Sequence, residues 1–150
     1  MKKFKFSLEK VLEVKETEEK IIQRELQKLQ KEIYETELKK ENLKKKISTE
    51  KEKISSISSK LVKSVEIMIY YKYIDSLNFQ IDKLEQQIKK LQISEVKLKE
   101  SLLEKTKEKK ALERLKELRY DEFKSQYNKQ QQLAIDEISI QYHKIKAGSV

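Results

Sequence analysis

The side chains that could carry out chemistry here are few in kind. There is one histidine, His143, and the chain has no cysteine. A lone imidazole with no fixed partner can neither complete a metal site nor relay a proton. The 26 carboxylates are interspersed with 35 lysines and arginines at helix-surface spacing, the pattern of solvated faces rather than of a facing acid–base pair. The only glycine is Gly148, so no glycine-rich loop can cradle a phosphate. No metal, no cofactor and no enzyme activity is expected.

The remaining chemistry is charge and aromatic contact. The net charge of +9 is concentrated locally. Lys39, Lys40, Lys44, Lys45 and Lys46 stand against Glu41, and residues 97–116 carry eight basic and four acidic side chains. A nucleic-acid surface would call for continuous basic stripes with arginine and stacked aromatics. Here lysine dominates, and the tyrosines lie elsewhere. Attraction to acidic protein surfaces is the nearer reading, and no nucleic-acid partner is expected. Two aromatic groups stand out: Phe4 and Phe6 ahead of a charged helix, and Tyr70, Tyr71 and Tyr73 with Phe79.

The elements that must position these residues are helical. A chain of 150 residues with one glycine and no proline can hardly turn more than once or twice. Stepping three and four residues alternately from Leu8 to Leu61 finds eleven apolar residues in sixteen positions; the exceptions are Lys15, Glu19, Thr36, Lys40 and Glu50. From Ile67 to Leu102, ten of eleven positions are apolar, Glu95 being the exception. This is a coiled-coil seam. Beyond Leu102 the seam meets Lys105 and Lys109, and its register is expected to fail there. A looser, more aromatic stripe then follows.

Serines cluster in ISSISSKLVKS, residues 54–64. Serine hydroxyls compete for backbone hydrogen bonds and favour turns, so the chain is expected to reverse near Ser58–Ser59. A turn at Asp75–Asn78 is the runner-up. The fold expected is all-α: a long antiparallel two-helix coiled-coil hairpin forming one domain over 1–150. Helix 1 covers about 7–56, the turn about 57–63 and helix 2 about 64–145, with helix 2 extending past helix 1. A turn at about 60 would pair residue i with residue 120 − i. Ser7 is placed to cap helix 1, with Phe6 stapled onto Val11, and Phe4 is expected to point at Leu112, Leu115 and Leu118. Pairs such as Glu16–Lys20, Glu35–Lys39, Glu41–Lys45 and Glu95–Lys99 would support the helix surfaces.

MKKFKF has a basic start, but no apolar stretch follows it, so no export signal is expected. No run approaches the length of a membrane span. Past the end of helix 1, Phe123, Tyr127, Ile138, Tyr142 and Ile145 would have no intramolecular partner. An unpaired apolar stripe reads as a partner surface, and Phe4 and Phe6 lie at the same end.

The stretch FKFSLEKVLEVKETEE, residues 4–19, resembles the N-terminal signature of the flagellar export protein FliJ family: aromatic–x–aromatic–x–Leu, then Val-Leu and an acidic-basic run. YKYIDSLNFQIDKLEQQI at 71–88 and LERLKELRYDEFKSQYNKQQQLAIDEI at 112–138 are similar to further stretches of that family. The resemblance implies a soluble component of the flagellar type III export apparatus, cytoplasmic and peripherally associated with the inner face of the membrane at the flagellar base. It implies an antiparallel coiled coil like the central stalk of rotary ATPases. The expected partners are the hexameric export ATPase FliI, the export-gate protein FlhA and substrate chaperones, and the free chain is expected to be a monomer. The ATPase-ring contact would comprise Phe4, Phe6, Phe123, Tyr127, Ile138, Tyr142 and Ile145. The gate contact would comprise Tyr73, Leu77 and Leu84. A generic structural or chaperone-like coiled coil, and a basic nucleic-acid-binding rod, are the alternatives that the residues alone leave open.

Overall fold

The computed structural model describes residues 2–58 and 64–148. Two helices account for nearly all of them: α1, Glu9–Ser58, and α2, Ser64–Gly148. They form an all-α antiparallel two-helix hairpin in which α2 is the longer element, and no strand occurs among the described residues. Of the expected turn at about 57–63, Ile57 and Ser58 belong to α1, and residues 59–63 lie outside the described residues. Asp75–Asn78, the runner-up turn, is helical within α2. The packing divides into two units: Lys20–Leu103, and Met1–Glu19 with Glu104–Val150.

In Lys20–Leu103, burial follows the three–four series closely. Every α1 residue from 20 to 57 that is not exposed falls at 22, 26, 29, 33, 36, 40, 43, 47, 50, 54 or 57. On α2 every position of the series from 67 to 102 is at least half-buried, and Glu85 and Ser101 join it. With only two helices, one stripe per helix is all that can be withdrawn from water. The core is Ile47, Ile54, Ile74, Leu77 and Ile81, with Leu43, Ile67 and Tyr70 packed against it. Leu77 is only 3% exposed.

The polar residues on this stripe each find a partner. The Thr36 hydroxyl donates to the Glu32 carbonyl at 2.7 Å. Lys40 reaches across to Glu85 at 3.2 Å. Glu50 takes Lys53 at 3.2 Å, and Glu95 takes Lys99 at 2.7 Å. Lys40 opposite Glu85 also corrects the expected pairing, in which residue 40 would have met residue 80. The two helices are offset by about five residues from the expected register. Surface pairing differs in detail too: Glu35 bonds Lys31 and Glu41 bonds Lys44, because at i,i+3 and i,i+4 several lysines compete for each carboxylate.

Candidate functional site

The N-terminal segment of the other unit enters its helix later than Ser7 would dictate. Residues 2–6 lie outside any helix or strand. A turn follows, closed by the Glu9 N–H donating to the Phe6 carbonyl at 3.2 Å. The Leu8 carbonyl accepts the first helical bond, from the Leu12 N–H at 2.9 Å, which makes Leu8 the cap residue. Val11, the expected staple partner of Phe6, is 43% exposed, while Phe6 falls to 9%. Phe6 instead lines a cleft against α2, with Arg119, Glu122, Phe123 and Gln126.

The rings that Phe4 meets on α2, Tyr120 and Phe123, lie further along than the expected Leu112, Leu115 and Leu118. Its ring stands edge-on to Tyr120 at 5.3 Å and tilted against Phe123 at 5.6 Å. Phe123 stacks on Tyr127 at 6.3 Å. The cause is again the offset: Glu9 bonds Lys116 at 2.8 Å, where the expected register would have set residue 9 opposite residue 111. Edge-on and offset rings match the quadrupole preference of aromatic pairs. Tyr120 did not stand out in the sequence. Its spacing of three and seven residues from Phe123 and Tyr127, one helix face, was the available signal.

Between this aromatic clasp and residue 19, charge replaces apolar packing. Lys105 and Lys109, expected to break the seam, lie inside it. Lys15 lies 2.8 Å from Glu108 and 3.6 Å from Glu18, and Lys105 lies 3.1 Å from Glu18 and 3.8 Å from Glu108. Four charges of alternating sign thus close a square across the two helices. Next to it, Glu19 accepts from Lys109 at 3.1 Å and from the Thr106 hydroxyl at 3.4 Å, and is 8% exposed. The hydrogen bond from Lys105 holds the Glu18 carboxyl below the usual carboxylate range, and that from Lys15 does the same for Glu108. In return Glu108 raises the Lys15 ammonium and Glu19 raises that of Lys109. Each half of the square stabilises the charged form of the other.

Past Tyr127 every described residue of α2 is exposed. Ile138, Tyr142 and Ile145 are 66%, 63% and 73% exposed. At 100° per residue, Ile138 and Ile145 fall on the face that carries Phe123 and Tyr127, with Tyr142 at its edge. The face covered by the N-terminal segment therefore continues uncovered. The seven residues expected to form one contact are split: Phe4, Phe6, Phe123 and Tyr127 are half-buried or buried, and the last three stand in water.

In the other unit Tyr73 is 45% exposed, Leu77 lies in the core, and Leu84 is half-buried. Leu84 lines an open cleft of about 540 Å³ together with Leu43, Lys39, Lys46 and Lys83. His143 stands edge-on to Tyr142 at 6.3 Å. Among the described residues no group of histidine and acidic side chains is placed to hold a metal ion. Among the described residues no helix is long and apolar enough to cross a membrane.

The chain matches no curated protein and no solved structure significantly. The family model described as Flagellar FliJ protein matches residues 4–147, from the phenylalanine of the aromatic clasp to the last turn of α2. Over that extent the chain belongs to the flagellar FliJ protein family, structural or chaperone-like components of flagellar type III export rather than known enzymes.

Proposed function

We propose that the chain acts as the central stalk of the export ATPase, linking the hexamer to the export gate and to substrate chaperones at the cytoplasmic face of the membrane. The observation that carries this reading is the apolar face of α2, clasped as far as Tyr127 and bare at Ile138, Tyr142 and Ile145. A single helix with an uncovered stripe is weakly stable alone and gains most from a partner that surrounds it. Binding the assembled ring better than its separate subunits would drive assembly by mass action. Tyr73 is the accessible part of the gate contact in this reading; Leu77 supports it from the core.

Deleting residues 128–150 tests the stalk role. The cut falls after Tyr127, so the packing of Phe4 on Tyr120 and Phe123 is retained. The truncated chain is expected to remain helical and to lose stimulation of ATP hydrolysis by the export ATPase. Full stimulation by the truncated chain would show that the stripe is not the ring contact.

A further inference from the structure

Lysine and phenylalanine alternate over Lys3–Phe6, and exposure alternates with them. Phe6 is buried and Phe4 packs on α2. Lys3 and Lys5 stay exposed, as does Lys2. These three lysines and Arg119 line an open cleft of about 470 Å³ where the segment crosses α2. The one carboxylate lining it, Glu122, is bound by the Arg119 guanidinium at 3.2 Å. None of Lys2, Lys3 or Lys5 has an ion partner among the described residues. The aromatic clasp thus gathers like charges around a cleft that supplies no free anion of its own, against their mutual repulsion.

We propose that this cleft docks acidic side chains of a partner protein, and that at the stalk end this partner is the ATPase ring. The inference rests on the stalk reading for the identity of the ring. It differs from that reading in the chemistry of contact: at the N-terminal segment the phenylalanines are spent on folding, and the lysines make the contact. An anionic bilayer fits less well, because no aromatic of the segment is left free to insert. A nucleic acid fits less well, because no free ring remains to stack a base.

The test compares the full chain with a triple variant, Lys2→Gln, Lys3→Gln and Lys5→Gln, in stimulation of the purified export ATPase at low and high NaCl. Loss of three exposed ion pairs is expected to raise the half-saturating concentration about tenfold at low salt and to flatten its salt dependence. A charge-matched control, Lys45→Gln, Lys51→Gln and Lys72→Gln, is expected to behave as wild type. Amide protection over residues 9–19 is expected to be unchanged, since the three lysines are exposed and make no ion pair among the described residues. The proposal is overturned if the triple variant matches wild type, if the control loses as much, or if the triple variant also loses protection over 9–19. It is equally overturned if the triple variant loses only affinity for phosphatidylserine vesicles. Full stimulation by the chain lacking 128–150 refutes the stripe, whereas full stimulation by the lysine variant refutes the cleft, so the two failures are distinguishable.

Discussion

Replacing Phe4 by alanine removes the ring that clasps the N-terminal segment onto α2, and its effect can be worked from the packing. Burying a phenylalanine fully contributes about 1.5–3 kcal/mol, so the half-buried Phe4 contributes about 1. Its two ring contacts, at 5.3 and 5.6 Å, add about 0.5 kcal/mol each at the lower end of the aromatic-pair range. The total is about 2 kcal/mol, acting on local opening of the segment. Since about 1.4 kcal/mol is a factor of ten, amide protection over residues 9–19 should fall about 30-fold. Protection at Ile47, Leu77 and Ile81, in the apolar core of the other unit, should be unchanged. Hydrogen exchange read by NMR resolves both regions in one experiment. Unchanged protection over 9–19 would mean that the ion pairs hold the segment unaided and that the clasp is incidental. An equal fall at Leu77 would mean that opening is global.

Leu77→Ala should lower stability to urea by about 2–3 kcal/mol, the low end for a buried leucine because a two-helix core collapses readily around the gap. Phe79→Ala, at a 60% exposed site, should cost less than about 0.5 kcal/mol, and equal losses at the two sites would contradict the core assignment. Glu18 and Glu108 are held below the ordinary carboxylate pKa of about 4.3. Their contribution is present above that pH and is lost as pH falls through the depressed values; carboxyl-carbon NMR titration showing an ordinary midpoint for Glu18 would contradict the square. Lys15 and Lys109 are held above the usual ammonium value of about 10.4, so their contribution is complete below it and vanishes only as pH rises through the raised values. Proteolysis near residue 15, followed from pH 9 to 12, should accelerate only at the upper end. Tyr73→Ala should weaken binding to the export-gate protein while leaving helicity unchanged; undiminished binding would exclude Tyr73 from that contact.

What could be read from the sequence was the burial pattern. Two helices bury one stripe each, and a three–four repeat specifies such a stripe almost by itself, which is why positions 22 to 57 match it throughout. Register was harder to read. An antiparallel apolar seam remains apolar when one helix slides along the other, so the serine cluster alone set the offset, and it set it about five residues short. The displaced partners of Phe4 follow from that error. By hydropathy alone, Lys105 and Lys109 look like the end of the seam. Glu18 and Glu19 on α1 are their complement, and matching charge between the two stripes would have kept them inside. The division of the aromatic residues into clasp and bare stripe depends on where α1 begins, which residue types alone do not fix.

The charged square has a mechanical consequence. Leucine and isoleucine contacts repeat every heptad, so an apolar seam offers little resistance to shear in steps of seven residues, about 10.5 Å of helix. A step of that size around the square would set Glu18 beside Leu112 in one direction and beside Leu98 in the other, so that it loses Lys105 across the seam and keeps only Lys15 of its own helix. Lys15, Glu18, Lys105 and Glu108 therefore act as a detent: they hold one axial position and resist sliding there more than the leucines around them do. Because these side chains remain partly in water, dissolved ions weaken the detent while leaving apolar contacts intact. Under axial load, slippage in this unit should become easier with added salt.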